Sequence, residues 1–350
     1  MKHELNCEYP EPDESKLVEE MLTLTKLRAE YIGAHRLPSD TGCPMRRQHA
    51  KPTGCVRGVF KIRDNFPDYL AHGVFGQAGK TYEAIVRFSN SADMLGQDGA
   101  ENVVRGIAIK LLDVDGTPAL SGASERCQDF LMVNHPVFPF ATPAEYVKFF
   151  RVRHTLGEGE VAELAAVAAT AMFHPWHALI ITQMLGKKVA SPLEITYWSG
   201  SPYWLGPAAT TGGRAVKYSF VPKFTGTPTP VPEHPEKLDT DYLNTALKNH
   251  LKSREAVFDF RVQPQIDPVA MPVEDTSAEW KEEDSAPILV ATLTIPVQHV
   301  DSSEGEALNK QGDEMAFSPW NALAEHRPMG GINRMRKAVY LASKEARGAK

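Results

Sequence analysis

Eight short segments of alternating apolar and polar residues, in two groups of four, constrain this chain more than any other feature. The first group covers residues 56–62, 81–88, 105–112 and 130–137; the second covers 193–198, 215–221, 256–263 and 288–295. Each segment is short and is closed by Asp, Gly, Asn or Pro, the pattern of strands joined by turns. An open sheet of that many strands exposes two edges, whereas closure removes them. The expectation is therefore α+β: a closed eight-stranded antiparallel β-barrel with helical insertions and extensions.

Helical signals fall outside these segments. Residues 14–35 place Leu17, Met21, Leu24 and Leu27 on one face, with acidic residues in the first turn. Thr142-Pro143-Ala144-Glu145 supplies a capping hydroxyl, a proline at the first helical position and a glutamate placed to close the box. The alanine-rich stretch 160–185 reads as a helix broken at Pro175, and further helices are expected at 241–251 and from about Ile332. This divides the chain into an N-terminal helical arm, 1–40, and a barrel domain, 41–350, that ends in a helix.

Composition narrows the function. A net charge of -6 offers no basic footprint for nucleic acid or an anionic membrane. No apolar run reaches the roughly 18–20 residues of a membrane span, because the longest candidate, 165–185, contains His174, Pro175 and His177. The first residues lack the layout of a secretion signal. The 4 cysteines form no Cys-x-x-Cys pair, so reduced thiols in a cytoplasmic protein are expected.

Two segments carry candidate chemistry. Arg336 and Tyr340 are four apart on the predicted C-terminal helix, so the guanidinium reaches the phenol. A tyrosine that binds heme iron must ionise, and a neighbouring cation favours the phenolate. Arg347 returns to the same face. The spacing alone is cheap, however. Arg214 and Tyr218 repeat it within a predicted strand, where residues four apart stand roughly 13 Å from each other.

The second segment is Arg46-Arg47-Gln48-His49, in which His49 is expected to project from a strand start into the barrel. An uncoordinated histidine above a heme iron would take a proton from peroxide and return it to the outer oxygen. Arg46 and Arg87 could neutralise the propionates. A surface histidine in a basic loop, with arginines lying over the core, is the competing reading. His174 and His177 suit packing better than metal binding, with Pro175 between them and no third ligand in view.

Taken in order, six segments resemble the heme-dependent catalase superfamily. They are Arg46–Lys51, Val86–Asn90, Val104–Lys110, Asp129–Phe138, Phe317–Asn321 and Arg336–Tyr340. The resemblance implies heme b beside an eight-stranded barrel, His49 as distal acid and base, and Ser89 fixing its tautomer. It implies Tyr340 as the iron ligand supported by Arg336, and Arg46, Arg87 and Arg347 on the propionates. The chain stops soon after the tyrosine helix, which resembles the minimal catalase-related peroxidases. Alignment on Asp129 and Pro136 puts Val133 where larger members carry the catalytic asparagine, leaving Asn134 as the candidate distal amide, and Gln48 replaces a small apolar residue.

The function this implies is reduction of hydrogen peroxide or organic hydroperoxides through a ferryl intermediate. Catalase turnover would be weak, and electrons would come from small aromatic donors through residues such as Trp320. The alternatives are a fatty-acid hydroperoxide isomerase of the allene oxide synthase kind, with a channel along residues 197–205, or a non-catalytic heme carrier. The apolar face of residues 14–35 leaves a homodimer open.

Overall fold

In the computed structural model, the described residues are 4–34, 46, 48–91, 98, 104–123, 125–157, 160–173, 175–208, 211–224 and 227–349. The strands are β1 (Lys51–Ile62), β2 (Thr81–Asn90), β3 (Arg105–Leu112), β4 (Cys127–Val133), β5 (Tyr197–Trp198), β6 (Tyr203–Leu205), β7 (Arg214–Lys223), β8 (Ala256–Pro264) and β9 (Ile288–Ile295). All pairings are antiparallel. The ring runs β1-β2-β3-β4-β5-β7-β8-β9 and closes because β5 pairs with both β4 and β7 while β9 pairs with β1. The closed eight-stranded barrel expected from the sequence is present.

β8 occupies one edge of β7, so β5 and β6 share the other and form one strand interrupted at residues 199–202. Gly200 makes that interruption possible with φ +66. Two expected boundaries move. The segment 193–198 pairs only at Tyr197 and Trp198. β4 begins and ends earlier than 130–137, because Asn134 leaves the ladder. Its N–H donates to the Arg105 carbonyl (3.0 Å) and its side-chain oxygen accepts from the Arg105 N–H (3.0 Å).

The barrel interior is filled by side chains, as expected for eight strands. Phe130 and Phe260 have ring centroids 4.7 Å apart, Phe60 and Phe260 5.2 Å, and Phe130 and Tyr218 5.3 Å. A large ligand must therefore bind outside the wall. Tyr218, from the second Arg-x-x-x-Tyr pair, points inward and meets His326 Nδ1 at 3.1 Å, while Arg214 stacks on Tyr69.

The helices are α1 (Glu14–Ala34), α2 (Pro143–Leu156), α3 (Glu160–Phe173), α4 (Pro175–Leu185), α5 (Tyr242–Leu251), α6 (Ser303–Glu314) and α7 (Gly331–Arg347). The Thr142 hydroxyl caps α2 by accepting from the Glu145 N–H. The Glu145 carboxylate reaches one residue further back than a standard box, to the Ala141 N–H (2.9 Å). α1, α2 and α7 share a second apolar cluster around Met21, Tyr146, Val147, Ile332 and Met335. His177 is buried with Nδ1 3.2 Å from Glu145, and His174 lies outside the described residues.

Helix α6 gave no periodic signal in the sequence, since Leu308 is the main apolar residue it buries. Ser302 caps it, and Leu308 packs with Cys55, Ile85 and Phe317 against the barrel wall. Asp129 ties this region down. Fully buried on β4, it pairs with Lys110 (2.9 Å) and accepts from the Ser318 N–H and the Asn321 amide, both at 3.0 Å. Removing one partner of a buried ion pair leaves an uncompensated charge. Asp129→Ala is expected to destabilise the fold by about 3–5 kcal/mol in urea unfolding; a loss under about 1 kcal/mol, the range of exposed pairs, would contradict this role.

Candidate active site

Across β2, β3 and β4 the ladder register sets two rows of side chains on the outer face of the barrel. Gly106 is the cross-strand partner of both Ser89 and Val133, and Arg87, Ala108 and Leu131 form the next row. Alternate residues, including Phe88, Ile107 and Met132, belong to the interior core. This outer patch is one wall of an apolar cavity. The opposite wall comes from α7, through Met335, Arg336, Val339 and Tyr340, with Tyr146 of α2 and Met21 of α1 beside them.

His49 lies on the outer patch rather than inside the barrel, correcting the sequence expectation. Its backbone is left-handed, with φ +53, uncommon for a residue with a Cβ. Nδ1 is 3.3 Å from the Ser89 hydroxyl, and the ring lies directly over Gly106. A Cβ at position 106 would sit 2.7 Å from Nδ1 and Cε1 of His49, so only glycine permits this approach. Burial, then the charges of Arg87, Arg336 and Arg46, hold the imidazole pKa down at about 4.

On the other wall the Arg336 guanidinium donates to the Tyr340 hydroxyl at 3.2 Å and to Asn333 Oδ1 at 3.0 Å. Ser201, in the interruption between β5 and β6, completes this set by donating to Asn333 Oδ1 at 3.1 Å. Burial alone would weaken the Arg336 charge, but the Tyr340 and Tyr203 phenols more than offset it and raise its proton affinity. The arginine is a fixed cation beside the Tyr340 oxygen.

The other three arginines meet at the C-terminal end of α6. Arg87 pairs with the Asp313 carboxylate at 3.3 Å and donates to the His49 carbonyl at 3.4 Å. Arg46 donates to the carbonyls of Gly312 (2.7 Å) and Met315 (2.9 Å), and Arg347 donates to the Asp313 carbonyl. The helix terminus and its acidic residue attract these cations.

Seven of the eight residues singled out in the sequence therefore line one cavity: Arg46, His49, Arg87, Ser89, Arg336, Tyr340 and Arg347. Asn134 does not line it. Val133 occupies the row beside Gly106, and strand alternation turns the next residue away. Asn134 is buried, with its amide oxygen bound to the Arg105 N–H, so it does not serve as a cavity-facing amide. Of the stretch 197–205, Ser199 and Gly200 border the cavity, while Tyr197, Tyr203, Trp204 and Leu205 are buried in apolar clusters.

Residues 39–179 match the family model described as Catalase. Curated relatives include a catalase of Staphylococcus warneri, 33% identical over 108 residues, covering 31% of this chain and 19% of that protein. A catalase-like protein of Staphylococcus aureus is 33% identical over 108 residues, 31% of this chain and 21% of its own length. Among solved structures, catalase A from Saccharomyces cerevisiae superposes with a TM-score of 0.68 at 17% identity, covering 100% of this chain and 68% of that one. A fungal catalase gives 0.66 at 18% identity, covering 91% and 60%. Residues 39–179 thus carry the match to the catalase family, and the fold as a whole is that of the solved catalases. The aligned stretches span about a fifth of those curated relatives, and the family-model match, 39–179, includes Arg46, His49, Arg87 and Ser89.

Several parts of this cavity left no mark in the sequence. Asp313 and the α6 carbonyls sit on a helix without an apolar period, and Tyr146 is one aromatic among several on α2. The Tyr146 hydroxyl accepts from the Gln48 amide at 3.2 Å, and burial pushes its pKa up to about 12.

The depressed His49 pKa has a signed consequence. Its folded value of about 4 lies below the ordinary 6.5, so the neutral ring contributes stability that is complete above pH 6.5 and lost as pH falls through 4. In NMR titrations of the protein, His49 is expected to remain neutral at pH 5 and protonate near 4. Protonation near 6.5 would place the ring in water and contradict the geometry.

Proposed function

We propose that the chain is a heme-dependent enzyme that reduces peroxides, with heme b between Tyr340 and His49, and that it resembles the minimal catalase-related peroxidases. The observation that carries this reading is a buried imidazole, pinned by Ser89 and Gly106, on the same cavity as a tyrosine backed by a buried arginine.

The residues fit that group. Tyr340 offers one phenol oxygen for a metal, and among the described residues no cluster of three or more His, Cys, Asp or Glu offers an alternative. Arg46, Arg87 and Arg347 gather three guanidiniums at one end of the cavity, matching the two carboxylates of a buried porphyrin. The walls between are apolar: Ala108, Leu131, Val133, Phe138 and Val339. When bound, heme supplies the redox centre at which the peroxide O–O bond is broken.

The protein supplies proton handling and positioning. With Nδ1–H donating to Ser89, the His49 Nε2 keeps its lone pair and accepts the proton of an incoming hydroperoxide. The resulting imidazolium returns that proton to the departing oxygen. Its low pKa makes it a ready donor and leaves the resting ring neutral across the physiological range. Arg336 stabilises negative charge on the Tyr340 oxygen.

Turnover with organic donors outweighs catalase turnover in this reading. A second hydrogen peroxide must be oriented before it can be oxidised, and Val133 offers it no hydrogen bond. Electrons would enter from small aromatic donors through residues such as Trp320, whose indole N–H donates to the Asn333 carbonyl at 2.7 Å at the base of α7. Substrates are hydrogen peroxide or small organic hydroperoxides; a heme carrier would have no need of the His49–Ser89–Gly106 arrangement.

Three outcomes test this proposal. His49→Ala should retain heme while the peroxide-dependent rate falls by about 10²–10⁴-fold in stopped-flow; an unchanged rate would leave only the carrier. Val133→Asn should raise oxygen evolution from hydrogen peroxide relative to donor oxidation, and a flat ratio would remove the role given to Val133. The acid limb of kcat/KM should lie near pH 4, below that of a solvated histidine; a limb near 6.5 would contradict His49 as the base.

A further inference from the structure

A second, smaller cavity opens on the outer face of the barrel further round the wall. Its floor is Lys217 and Ser219 of β7, which alternation places on the outside with Trp198 across the β5–β7 pair. Its roof is the segment after β8. Gln263 holds that segment in place by donating from its amide to the carbonyls of Trp280 (2.9 Å) and Ser285 (2.9 Å). The Trp280 ring lies over Lys217, 5.0 Å from the ammonium to its centroid.

Lys217 departs from what burial normally demands. Its residue is 5% exposed, yet its ammonium donates only to the Ala278 carbonyl, at 3.1 Å, and is in ion-pairing range of no carboxylate among the described residues. Buried lysines are otherwise paired. Lys110 and Lys51 in this protein both are, at 2.9 Å from Asp129 and 3.2 Å from Asp98. Ser219, also 5% exposed, is a second buried polar group on the cavity, and its hydroxyl has no hydrogen-bond partner. An amine with no carboxylate partner and a hydroxyl with no hydrogen-bond partner share one cavity floor and leave room for a polar atom that the protein does not supply.

We propose that this cavity is a covalent site for small neutral carbonyl compounds, with Lys217 as the nucleophile and Ser219 as the hydrogen-bond donor to the carbonyl oxygen. The neutral Lys217 nitrogen attacks the carbonyl carbon, and the C=O π pair moves to oxygen, which takes up a proton as a carbinolamine forms. Loss of the nitrogen proton and of the hydroxyl as water leaves the imine, with no oxidant or reductant consumed. The indoles of Trp198 and Trp280 accept an apolar substituent. Glu279 and Glu282 at the rim disfavour anionic carbonyl compounds.

Burial holds the Lys217 pKa down at about 7, against the weaker opposing pull of Asp275 and Glu279, so a large share of the amine is neutral near pH 7.5. These acids and Glu282 are the charged groups facing it; β5 and β8 present Trp198 and Gln263. An exposed lysine, with a pKa of about 10.4, is neutral in only about 0.1% of molecules at that pH.

The test is brief treatment of the full-length protein with propanal and cyanoborohydride at pH 7.5, followed by peptide mass mapping. Reductive trapping should label Lys217 about tenfold or more faster than exposed lysines, with a rate that rises through pH 7 and then levels. Lys217→Arg should lose that one adduct and keep the rest. Labelling spread evenly over surface lysines, or a Lys217 rate still climbing steeply above pH 9, would overturn the proposal. The wild-type map decides the question even if Lys217→Arg fails to fold. Because this cavity shares only Gly200 with the one lined by His49, the outcome does not depend on the peroxide reading.

Discussion

Contact between the His49 imidazole and the bare backbone of Gly106 is the constraint on which the rest of the site depends. A filled eight-stranded barrel has no room inside for a large ligand, so any site must be built on its outer wall, where side chains alternate with strand parity. Glycine at the centre of one row lets a ring lie against the wall, with a hydroxyl on one neighbour in that row and a methyl-bearing side chain on the other. The left-handed backbone at His49 is the strain that brings the ring there. Packing then keeps the ring dry, and dryness with nearby arginines keeps it neutral.

The second constraint is electrostatic. Three arginines gathered at one end of an apolar cavity repel each other and are costly to desolvate. The C-terminal carbonyls of α6 and the Asp313 carboxylate offset part of that cost, through bonds from Arg46, Arg87 and Arg347. A dianionic ligand would complete the compensation. A polar helix with little apolar surface is thereby held against β1 by charge and by Gly312, where a Cβ would come within 2.7 Å of Cys55.

Much of this was legible in the sequence because it follows from short-range rules. Period-two alternation gave the barrel strands, and the Thr142–Glu145 cap and Pro175 gave helix boundaries. The i, i+4 spacing of Arg336 and Tyr340 gave a contact now seen at 3.2 Å. What escaped depends on long-range pairing. The outward face of His49 and the exclusion of Asn134 follow from register across β3 and β4, which no local pattern encodes. Helix α6 is fixed by its cap and by arginines distant in sequence, and the interrupted strand β5–β6 owes its shape to its pairing with β7.

The account turns on what lies between residues 49 and 340, and axial ligation reports it most directly. Electron paramagnetic resonance and magnetic circular dichroism of the ferric protein should show a high-spin, tyrosinate-ligated heme in the wild type. That signature should be lost in Tyr340→Phe and retained in His49→Ala. A ferric heme with a histidine-ligand signature, or a tyrosinate signal that survives in Tyr340→Phe, would contradict the account.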